Sequence, residues 1–241
     1  PDSGEPEFIT TCRLRTYYGN EANWTTEWDE TAWRRYIDAY YQLVERVDGE
    51  VGRILDALRD AGLEEDTLVV FTSDHGEGMA AHKWVVKLML YDEEAAVPFI
   101  ISYPDVISAG EADNTHLVSG IDLVPTVCDY ADVAYPANVT GESMRSVIED
   151  GDVTGRDYLV CQLSPDTERL GMKGRLVRTD RFKYMVFSEG KNAEMFFDMD
   201  RDPGELVNLI RDPDFVDEVA RHRLLLKDWI QKTDDPFLFD I

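Results

Sequence analysis

The sequence predicts an α/β fold, with a mostly parallel sheet flanked by helices and, at the C-terminal end, a small antiparallel sheet with a closing helix. Three observations point to this fold. An apolar stripe with helical spacing runs from residue 33 to residue 58, and two short apolar runs at 68–71 and 97–101 have the composition of buried strands. From residue 157 the pattern changes to short strands separated by turn residues. We therefore expect two domains, 1–156 and 157–241.

The first long element is predicted to be an amphipathic helix that follows a polar, irregular stretch at 1–30. Its apolar residues recur at alternating steps of four and three, which places them on one face: Trp33, Ile37, Tyr40, Val44, Val47, Val51, Ile54 and Leu58. A stripe of this kind predicts packing against a core. Asp29 or Thr31 is placed to cap the start of the helix, and Gly62 is placed to end it in a left-handed conformation.

A short acidic turn connects this helix to the first strand, which is a helix-to-strand unit typical of α/β proteins. After the second strand, Asp122 is predicted to be the N-cap of a short helix that continues to Tyr130. The segment 131–156 is rich in Gly, Pro and Asp and marks the predicted domain boundary. Beyond it we predict four strands and a closing helix, at 158–163, 175–178, 182–187, 194–197 and 213–232.

The composition limits the classes of partner. The formal net charge of −25 argues against nucleic acid and against anionic membranes as partners. No apolar run approaches the length of a membrane span. The chain has 17 Arg but only 7 Lys, and such an acidic, lysine-poor surface suits a protein that works in high salt, where screening removes self-repulsion. An ordinary acidic surface is the alternative, and the compartment stays unknown.

The three cysteines predict neither a disulfide framework nor a metal site. Cys12, Cys128 and Cys161 lie far apart, are odd in number and have no metal-binding spacing. Cys128 and Cys161 have apolar neighbours and are predicted to be buried thiols.

Polar residues with metal-binding chemistry follow the first strand, where the chain reads Ser73-Asp74-His75-Gly76. In an open α/β sheet, ligands gather where strands end at their carboxyl edge. A carboxylate and an imidazole in adjacent positions can both turn toward one cation if Gly76 lets the backbone bend. The structural alternative is an aspartate cap followed by a histidine with ordinary hydrogen bonds.

An ordered set of motifs gives this stretch a wider context. The motifs are T-S-D-H-G-E at 72–77, His82, Lys87, Y-D-E-E at 91–94, V-P-F-I-I at 97–101, I-D-L-V-P-T at 121–126, R-F-K-Y at 181–184 and F-D-M-D-R-D-P-G-E-L-V-N-L at 197–209. In this order and spacing, the chain resembles the C-terminal half of the sulfatases of the alkaline phosphatase superfamily. The resemblance implies that the predicted sheet is part of an alkaline-phosphatase-like sheet, and that domain 1–156 carries half of a metal site.

The resemblance also implies roles for four residues. Asp74 and His75 match the family's ligands of a divalent cation, most often Ca²⁺, although an imidazole also admits Mg²⁺, Mn²⁺ or Zn²⁺. His82 and Lys87 match the residues that contact the sulfate and the bridging ester oxygen. Lys83 is the alternative for the lysine role, but the spacing to Y-D-E-E favours Lys87.

The non-catalytic alternatives are that His82 is an ordinary surface histidine and that Lys87 is a solvated lysine beside Trp84. The other two histidines, His116 and His222, match nothing catalytic, and His222 in the closing helix is expected to be exposed.

The family's nucleophile has no counterpart in these 241 residues. Sulfatases carry a Cys/Ser-x-Pro/Ala-x-Arg motif that is converted to formylglycine, whereas Cys12 is followed by R-L-R-T, and the other cysteines fail in the same way. We therefore expect a portion of a sulfatase whose N-terminal half is a missing partner, acting on a sulfated small molecule or glycan. The chain alone is expected to be inactive.

Two alternatives remain open from the sequence. One is a phosphomonoester, phosphodiester or phosphonate hydrolase of the same superfamily, and the other is a non-catalytic, degenerate homologue that serves as a binding module. The upstream sequence discriminates the three. A Cys-x-Pro-x-Arg motif supports a sulfatase, a Thr or Ser without it supports a phosphatase, and neither supports the degenerate homologue.

Overall fold

A computed structural model describes residues 4–14, 24–151, 153–164 and 173–237. Its helices are α1 (Glu7–Leu14), α2 (Glu30–Asp60), α3 (Asp92–Ala95), α4 (Leu123–Tyr130), α5 (Arg145–Asp150) and α6 (Val216–Thr233). Its strands are β1 (Val69–Thr72), β2 (Phe99–Ser102), β3 (Leu159–Leu163), β4 (Gly174–Arg178), β5 (Phe182–Phe187) and β6 (Glu194–Asp198). The predicted combination of helices with strands, a mixed α/β fold, is confirmed.

The chain divides into two compact units. Unit 1 consists of Pro1–Trp28, His75–Ala96 and Asp157–Ile241, and unit 2 consists of Asp29–Asp74 and Val97–Arg156. One boundary falls after Arg156, where the sequence also places one, but two earlier stretches belong to the unit of the C-terminal sheet. The assignment of 1–156 and 157–241 as domains stays a prediction.

In unit 2, both predicted ends of α2 are confirmed. The Asp29 side chain accepts a hydrogen bond from the Ala32 amide at 2.9 Å, and Gly62 follows the helix with a φ of +68°. The predicted packing of the helix is wrong, because none of the 31 residues of α2 is buried. Val47 and Ile54 are 57% and 68% exposed. The stripe is amphipathic, but among the described residues none of its members reaches full burial.

The first two strands are neighbours, as the sequence predicts, but their predicted parallel direction is wrong. β1 pairs with β2 in antiparallel register, with Val69 opposite Ser102 and Thr72 opposite Phe99. A parallel pair needs a crossover that carries the chain back along the sheet, which is usually a helix. The connection between these strands contains only a three-residue 3₁₀ turn and the four-residue α3, so it provides no crossover helix.

In unit 1, the predicted antiparallel sheet and its closing helix are confirmed. The sheet has the order β3-β4-β5-β6 with every pair antiparallel. Val219 and Leu226 of α6 pack against one face, in a cluster that includes Val177, Tyr184 and Phe196. Turn residues separate the strands at short range, which explains why their bounds were readable from sequence.

The stretch 1–30, predicted to be irregular, contains a helix. In α1, Phe8 and Ile9 are each 1% exposed, and the Phe8 ring stacks on Phe187 with centroids 4.2 Å apart. Only two large apolar residues anchor this eight-residue helix, which is too short to show a periodic pattern.

Two further predictions are corrected. His222 is fully buried rather than exposed, with Nδ1 2.8 Å from the Glu218 carbonyl and Nε2 3.2 Å from the Thr179 hydroxyl. Asp122 occupies the predicted N-cap position of α4, but its side chain does not cap that helix. Its carboxylate instead accepts from the Ser119 amide at 2.7 Å, in a capping box of the preceding 3₁₀ turn. The same carboxylate is fully buried and bonds Arg156 Nη2 at 2.7 Å.

The three cysteines are free thiols of intermediate exposure, so the predicted burial of Cys128 and Cys161 is only partial. Among the described helices, none is long and apolar enough to cross a membrane.

Candidate active site

The segment 75–96, which we call the site segment, leaves β1 and returns to β2 through unit 1. Its two ends are joined by backbone hydrogen bonds. Gly76 N donates to Glu94 O at 2.8 Å, and Glu77 N donates to Glu93 O at 2.9 Å. Two further bonds, Gly78 N to Val86 O and Ala80 N to Trp84 O, close the inner loop at 2.8 and 2.9 Å. The segment is therefore fixed by its own backbone although it has little regular structure.

Gly76 permits the closest of these approaches. A Cβ at this position would lie 2.0 Å from the carbonyl oxygen of Glu93, which is shorter than any allowed contact. The sequence predicted that Gly76 is needed for a sharp bend. The structure gives a more specific reason, which is the close approach of the backbone at Gly76 to the backbone at Glu93.

The inner loop has an unusual backbone. Five non-glycine residues there have a positive φ, namely Met79, Ala80, His82, Lys83 and Val86, and Leu88 just beyond the loop has one too. This conformation is uncommon for side-chain-bearing residues and costs about 1–3 kcal/mol for each strained position, so it persists only where surrounding contacts enforce it. Such residues cluster at functional sites, which makes this loop the leading candidate for the site.

Two of the predicted site residues meet directly. Lys87 Nζ lies 3.0 Å from His75 Nε2, and His75 Nδ1 lies 2.8 Å from the Gly76 carbonyl oxygen. Both contacts are satisfied when Nδ1 carries the proton and Nε2 accepts from the ammonium. Lys87 is half-buried and is further placed by Trp84, whose indole Nε1 donates to the Lys87 carbonyl at 3.2 Å.

His82 is held on three sides within unit 1. Its ring stacks on Tyr91, with centroids 3.7 Å apart and an interplanar angle of 6°. Its carbonyl accepts a hydrogen bond from Arg13 Nη2 at 3.1 Å, and its Nε2 lies 3.9 Å from Glu93 Oε2. Burial lowers the pKa of His82, against the opposing pull of Glu93. The imidazole is therefore neutral at neutral pH and can donate through only one nitrogen.

Asp74 is the last residue of unit 2 and is exposed. Its Oδ1 accepts a hydrogen bond from the Ser73 hydroxyl at 3.3 Å. It does not cap a helix, because no helix begins after it before the short turn at Ala81–Lys83. Lys83 is exposed on the inner loop, so the contact with His75 distinguishes Lys87 from it.

Of the predicted cation ligands, His75 has a ring nitrogen, Nε2, in the form that binds a metal ion. In the described residues, no three His, Cys, Asp or Glu side chains come together in a way that could hold a metal ion. The anchored Nδ1 of His75 leaves the lone pair on Nε2, which is the neutral form that binds metals, and a backbone carbonyl as the second partner is usual for such ligands. That lone pair takes either the Lys87 proton or a cation, but not both.

Sequence reasoning missed the residues that support the site. Arg13 lies in the unpredicted α1 and forms a bidentate pair with Glu5 at 2.9 and 2.6 Å while it bonds the His82 carbonyl. Glu94 is buried and its Oε2 accepts from the Met89 amide at 2.6 Å. The Y-D-E-E motif marked Glu94 and Tyr91 in the sequence, but gave them no role.

Two family models cover most of the chain. The model described as "Sulfatase" matches residues 5–133, and the model described as "N-sulphoglucosamine sulphohydrolase, C-terminal" matches residues 80–232. Each match spans more than half of the 241 residues. The first includes the whole site segment, and the second includes its residues 80–96.

The chain is also similar to individual proteins. It is 36% identical over 214 residues to the Delta 4,5-hexuronate-2-O-sulfatase of Bacteroides thetaiotaomicron, covering 87% of this chain and 44% of that protein. A solved structure of a 2-O GAG sulfatase matches with a TM-score of 0.81 and 35% identity, over 86% of this chain and 45% of that one. The phosphonate monoester hydrolase of Agrobacterium radiobacter matches with a TM-score of 0.74 and 25% identity, over 86% and 43% of the two chains.

These proteins are longer than the chain, which spans less than half the length of each. Within that span, the family models, the related sequence and the two folds agree on the family. The chain belongs to the sulfatase family.

Proposed function

We propose that this chain is the C-terminal portion of an enzyme that hydrolyses a sulfate ester, or a sulfamate, of a sulfated glycan. The observation that carries the proposal is the pairing of Lys87 Nζ with His75 Nε2 at 3.0 Å in a loop with strained backbone. The two sulfatases described above are both named as 2-O sulfatases, which favours a 2-O-sulfated sugar as the substrate class.

The roles follow from what a sulfate monoester requires. Its oxygens need cationic donors, and the departing ester oxygen needs a proton or a positive charge. Lys87 supplies an ammonium, which lies 3.0 Å from His75 Nε2 and is freed for the substrate when that nitrogen binds a cation. His82, whose ring is fixed by the Tyr91 stack, donates an N–H toward the sulfate or the ester oxygen.

A divalent cation belongs to this proposal. Asp74 and His75 would hold it as hard oxygen and nitrogen ligands, with Ca²⁺ favoured and Mg²⁺, Mn²⁺ or Zn²⁺ possible. When bound, such an ion holds a sulfate oxygen and polarises the nucleophile. The formylglycine nucleophile and the remaining ligands would come from residues outside these 241, in the N-terminal half of the enzyme.

A phosphonate monoester hydrolase is the second candidate. The observation that favours it is the match to the Agrobacterium radiobacter enzyme, with a TM-score of 0.74 over 86% of this chain. The two chemistries share tetrahedral oxyanions, so the same lysine and histidine serve either one. Their substrates carry the same single charge and lose the same kind of alkoxide or phenoxide, but differ in the central atom and in the carbon that a phosphonate bears on it. Matched aryl esters of the two types therefore separate the two activities by assay.

The test is an assay of the longer enzyme, matured and supplied with Ca²⁺, on a 2-O-sulfated unsaturated disaccharide, an aryl sulfate and an aryl phosphonate. We expect the sulfated substrates to be preferred. Lys87→Ala should lower kcat/KM by about 10²–10³-fold, as expected for the loss of one charged transition-state donor. The exposed neighbour gives the matched control, and Lys83→Ala should stay within about threefold.

Preference for the phosphonate would replace the first candidate with the second. Equal losses in the two lysine variants would remove Lys87 from the site. The 241-residue chain alone should give no turnover, because covalent catalysis needs the absent nucleophile. Robust turnover by this chain would overturn the proposal that the nucleophile comes from residues outside these 241.

A further inference from the structure

A fully buried lysine connects the site segment to the C-terminal sheet. Lys183 on β5 has an exposure of 0%, and its Nζ lies 2.7 Å from Asp92 Oδ1 and 2.8 Å from Glu205 Oε1. The other oxygen of Glu205 accepts a hydrogen bond from the Asp92 amide at 2.6 Å. We call Lys183, Asp92 and Glu205 the Lys183 cluster.

The members of this cluster come from three motifs that are far apart in the sequence. Asp92 belongs to Y-D-E-E at 91–94, Lys183 to R-F-K-Y at 181–184, and Glu205 to the D-P-G-E stretch at 202–205. All three lie in unit 1. Neither the proposed chemistry nor the cation site uses any of them.

Asp92 lies within the site segment, next to the residues whose backbone bonds join its two ends. It is the first residue of α3, and the next two residues supply the carbonyls that bond the amides of Gly76 and Glu77. A shift of Asp92 therefore moves the base of the loop that carries His82 and Lys87. On the other side, β5 is hydrogen-bonded to β4 and to β6, so Lys183 is attached to a rigid element.

The energetics favour a single arrangement of these groups. An ammonium removed from water costs several kcal/mol unless it is paired, and loss of one partner of a buried pair typically costs about 3–5 kcal/mol. Lys183 has two carboxylate partners, and Asp92 and Glu205 are further joined through the Asp92 amide. Burial raises the pKa of Glu205 to about 7, with the Lys183 charge opposing the increase. The three groups therefore have few alternatives to this geometry.

We propose that the Lys183 cluster positions the site segment on the C-terminal sheet and thereby fixes His75, His82 and Lys87. The role is positioning and not catalysis, because Lys183 is sealed from solvent and cannot touch a substrate. The consequence for activity depends on the proposed function, whereas the consequence for the backbone does not.

The test uses Glu205→Gln and Asp92→Asn in the longer enzyme, because both changes keep the side-chain shape and remove one charge. Hydrogen exchange should become at least about tenfold faster at the amides of Gly76 and Glu77, while the β5–β6 amides keep their protection. Turnover should fall by at least about tenfold in kcat with KM changed by less than threefold, since alignment is lost but binding groups remain. Asp200→Asn is the control, because this carboxylate is 69% exposed on the turn after β6.

Wild-type exchange at Gly76 and Glu77 in both variants would overturn the proposal. So would an equal gain in exchange across β5 and β6, which would show general destabilisation. If Glu205→Gln does not fold, the decision rests on Asp92→Asn, where the side chain is 39% exposed and tolerates change more readily. Faster exchange at Gly76 in a protein without sulfatase activity would support the positioning role and refute the proposed function.

Discussion

Unit 1 and unit 2 use their apolar residues in opposite ways. Both hydrophobic clusters of buried residues lie in unit 1, on the two faces of the β3–β6 sheet. In unit 2, the longest helix buries none of its residues, and the side chains of Phe71 and Ile100 on the β1–β2 pair are 42% and 58% exposed. The comparison teaches that an amphipathic pattern identifies the face that seeks a partner, but not whether the same stretch of chain contains that partner.

The buried residues of unit 2 show the same contrast. They include Asp122, Thr126 and Pro125, and the first two are held by hydrogen bonds rather than by apolar packing. Thr126 Oγ1 donates to the Asp122 carbonyl at 2.6 Å and accepts from the Met144 amide at 2.9 Å. Exposed apolar surface of this extent is typical of an interaction face. Unit 2 therefore exposes more of its apolar side chains than unit 1 does.

The largest expected effect compares one buried leucine with one exposed valine. Leu226→Ala removes a side chain that is 0% exposed in unit 1 and should lower the free energy of unfolding by about 2–5 kcal/mol. Val47→Ala on α2 should change it by less than about 0.5 kcal/mol, because this valine is 57% exposed. Urea unfolding of both variants of the 241-residue chain measures the difference. A cost for Val47→Ala near that of Leu226→Ala would mean that the α2 face is covered.

The second prediction compares two glycines. Gly76→Ala should destabilise unit 1 by about 1–3 kcal/mol, because the new Cβ would lie 2.0 Å from the Glu93 carbonyl and the backbone must move. Gly52→Ala on α2 has no atom within 4 Å of the new Cβ, so it should stabilise the helix by about 0.5–1 kcal/mol. Thermal unfolding measures both effects, as a lower melting temperature for Gly76→Ala and a higher one for Gly52→Ala. A neutral Gly76→Ala would show that the site segment adapts freely, which would weaken the case for a fixed loop.

The third prediction concerns pH and is specific to unit 1. Burial raises the pKa of Glu94 to about 8, and that of Glu205 to about 7. A carboxyl whose pKa is raised by folding favours the protonated native state, so its contribution is present at low pH and is lost as pH rises through the folded value. Stability should therefore fall, by several kcal/mol, as the pH rises from about 5 to about 8.

Glu94→Gln should flatten this dependence, because it removes the group with the higher pKa. Glu77, Glu93 and Lys183 are the charged groups that act on it. Denaturation series at several pH values, with the exposed Glu189→Gln as control, test this expectation. In strong acid the sign reverses, since the pKa of Glu194 is lowered by its bonds to Arg223 against the effect of burial. A flat wild-type profile between pH 5 and 8 would contradict the third prediction.

What the sequence predicted well was local. The strands β3–β6 and the ends of α2 are set by turn residues, caps and helical spacing within a few positions of the chain. Features that depend on contacts between distant parts of the chain were not predicted. The antiparallel direction of β1 and β2 depends on the course of the site segment, and the burial of His222 depends on Thr179, which is 43 residues away.

The candidate site divides in the same way. The contact between His75 and Lys87 spans 12 residues, and the resemblance to sulfatases was enough to propose both. The Lys183 cluster needed the fold, because its contacts span 91 and 113 residues. The motifs R-F-K-Y and D-P-G-E identified its residues, but composition alone gave no reason for a lysine in a buried strand.

These long separations have a consequence for synthesis on the ribosome. Residues 75–96 emerge before the C-terminal sheet, and Asp92 can form its contact with Glu205 only after 113 further residues have been made. Until then, the backbone carbonyls of Glu93 and Glu94 hold the loop without support from the sheet. Contacts of such large separation are the slow ones in folding. In a nascent chain, therefore, the loop that bears His82 and Lys87 acquires its final form only after the C-terminal sheet has been translated.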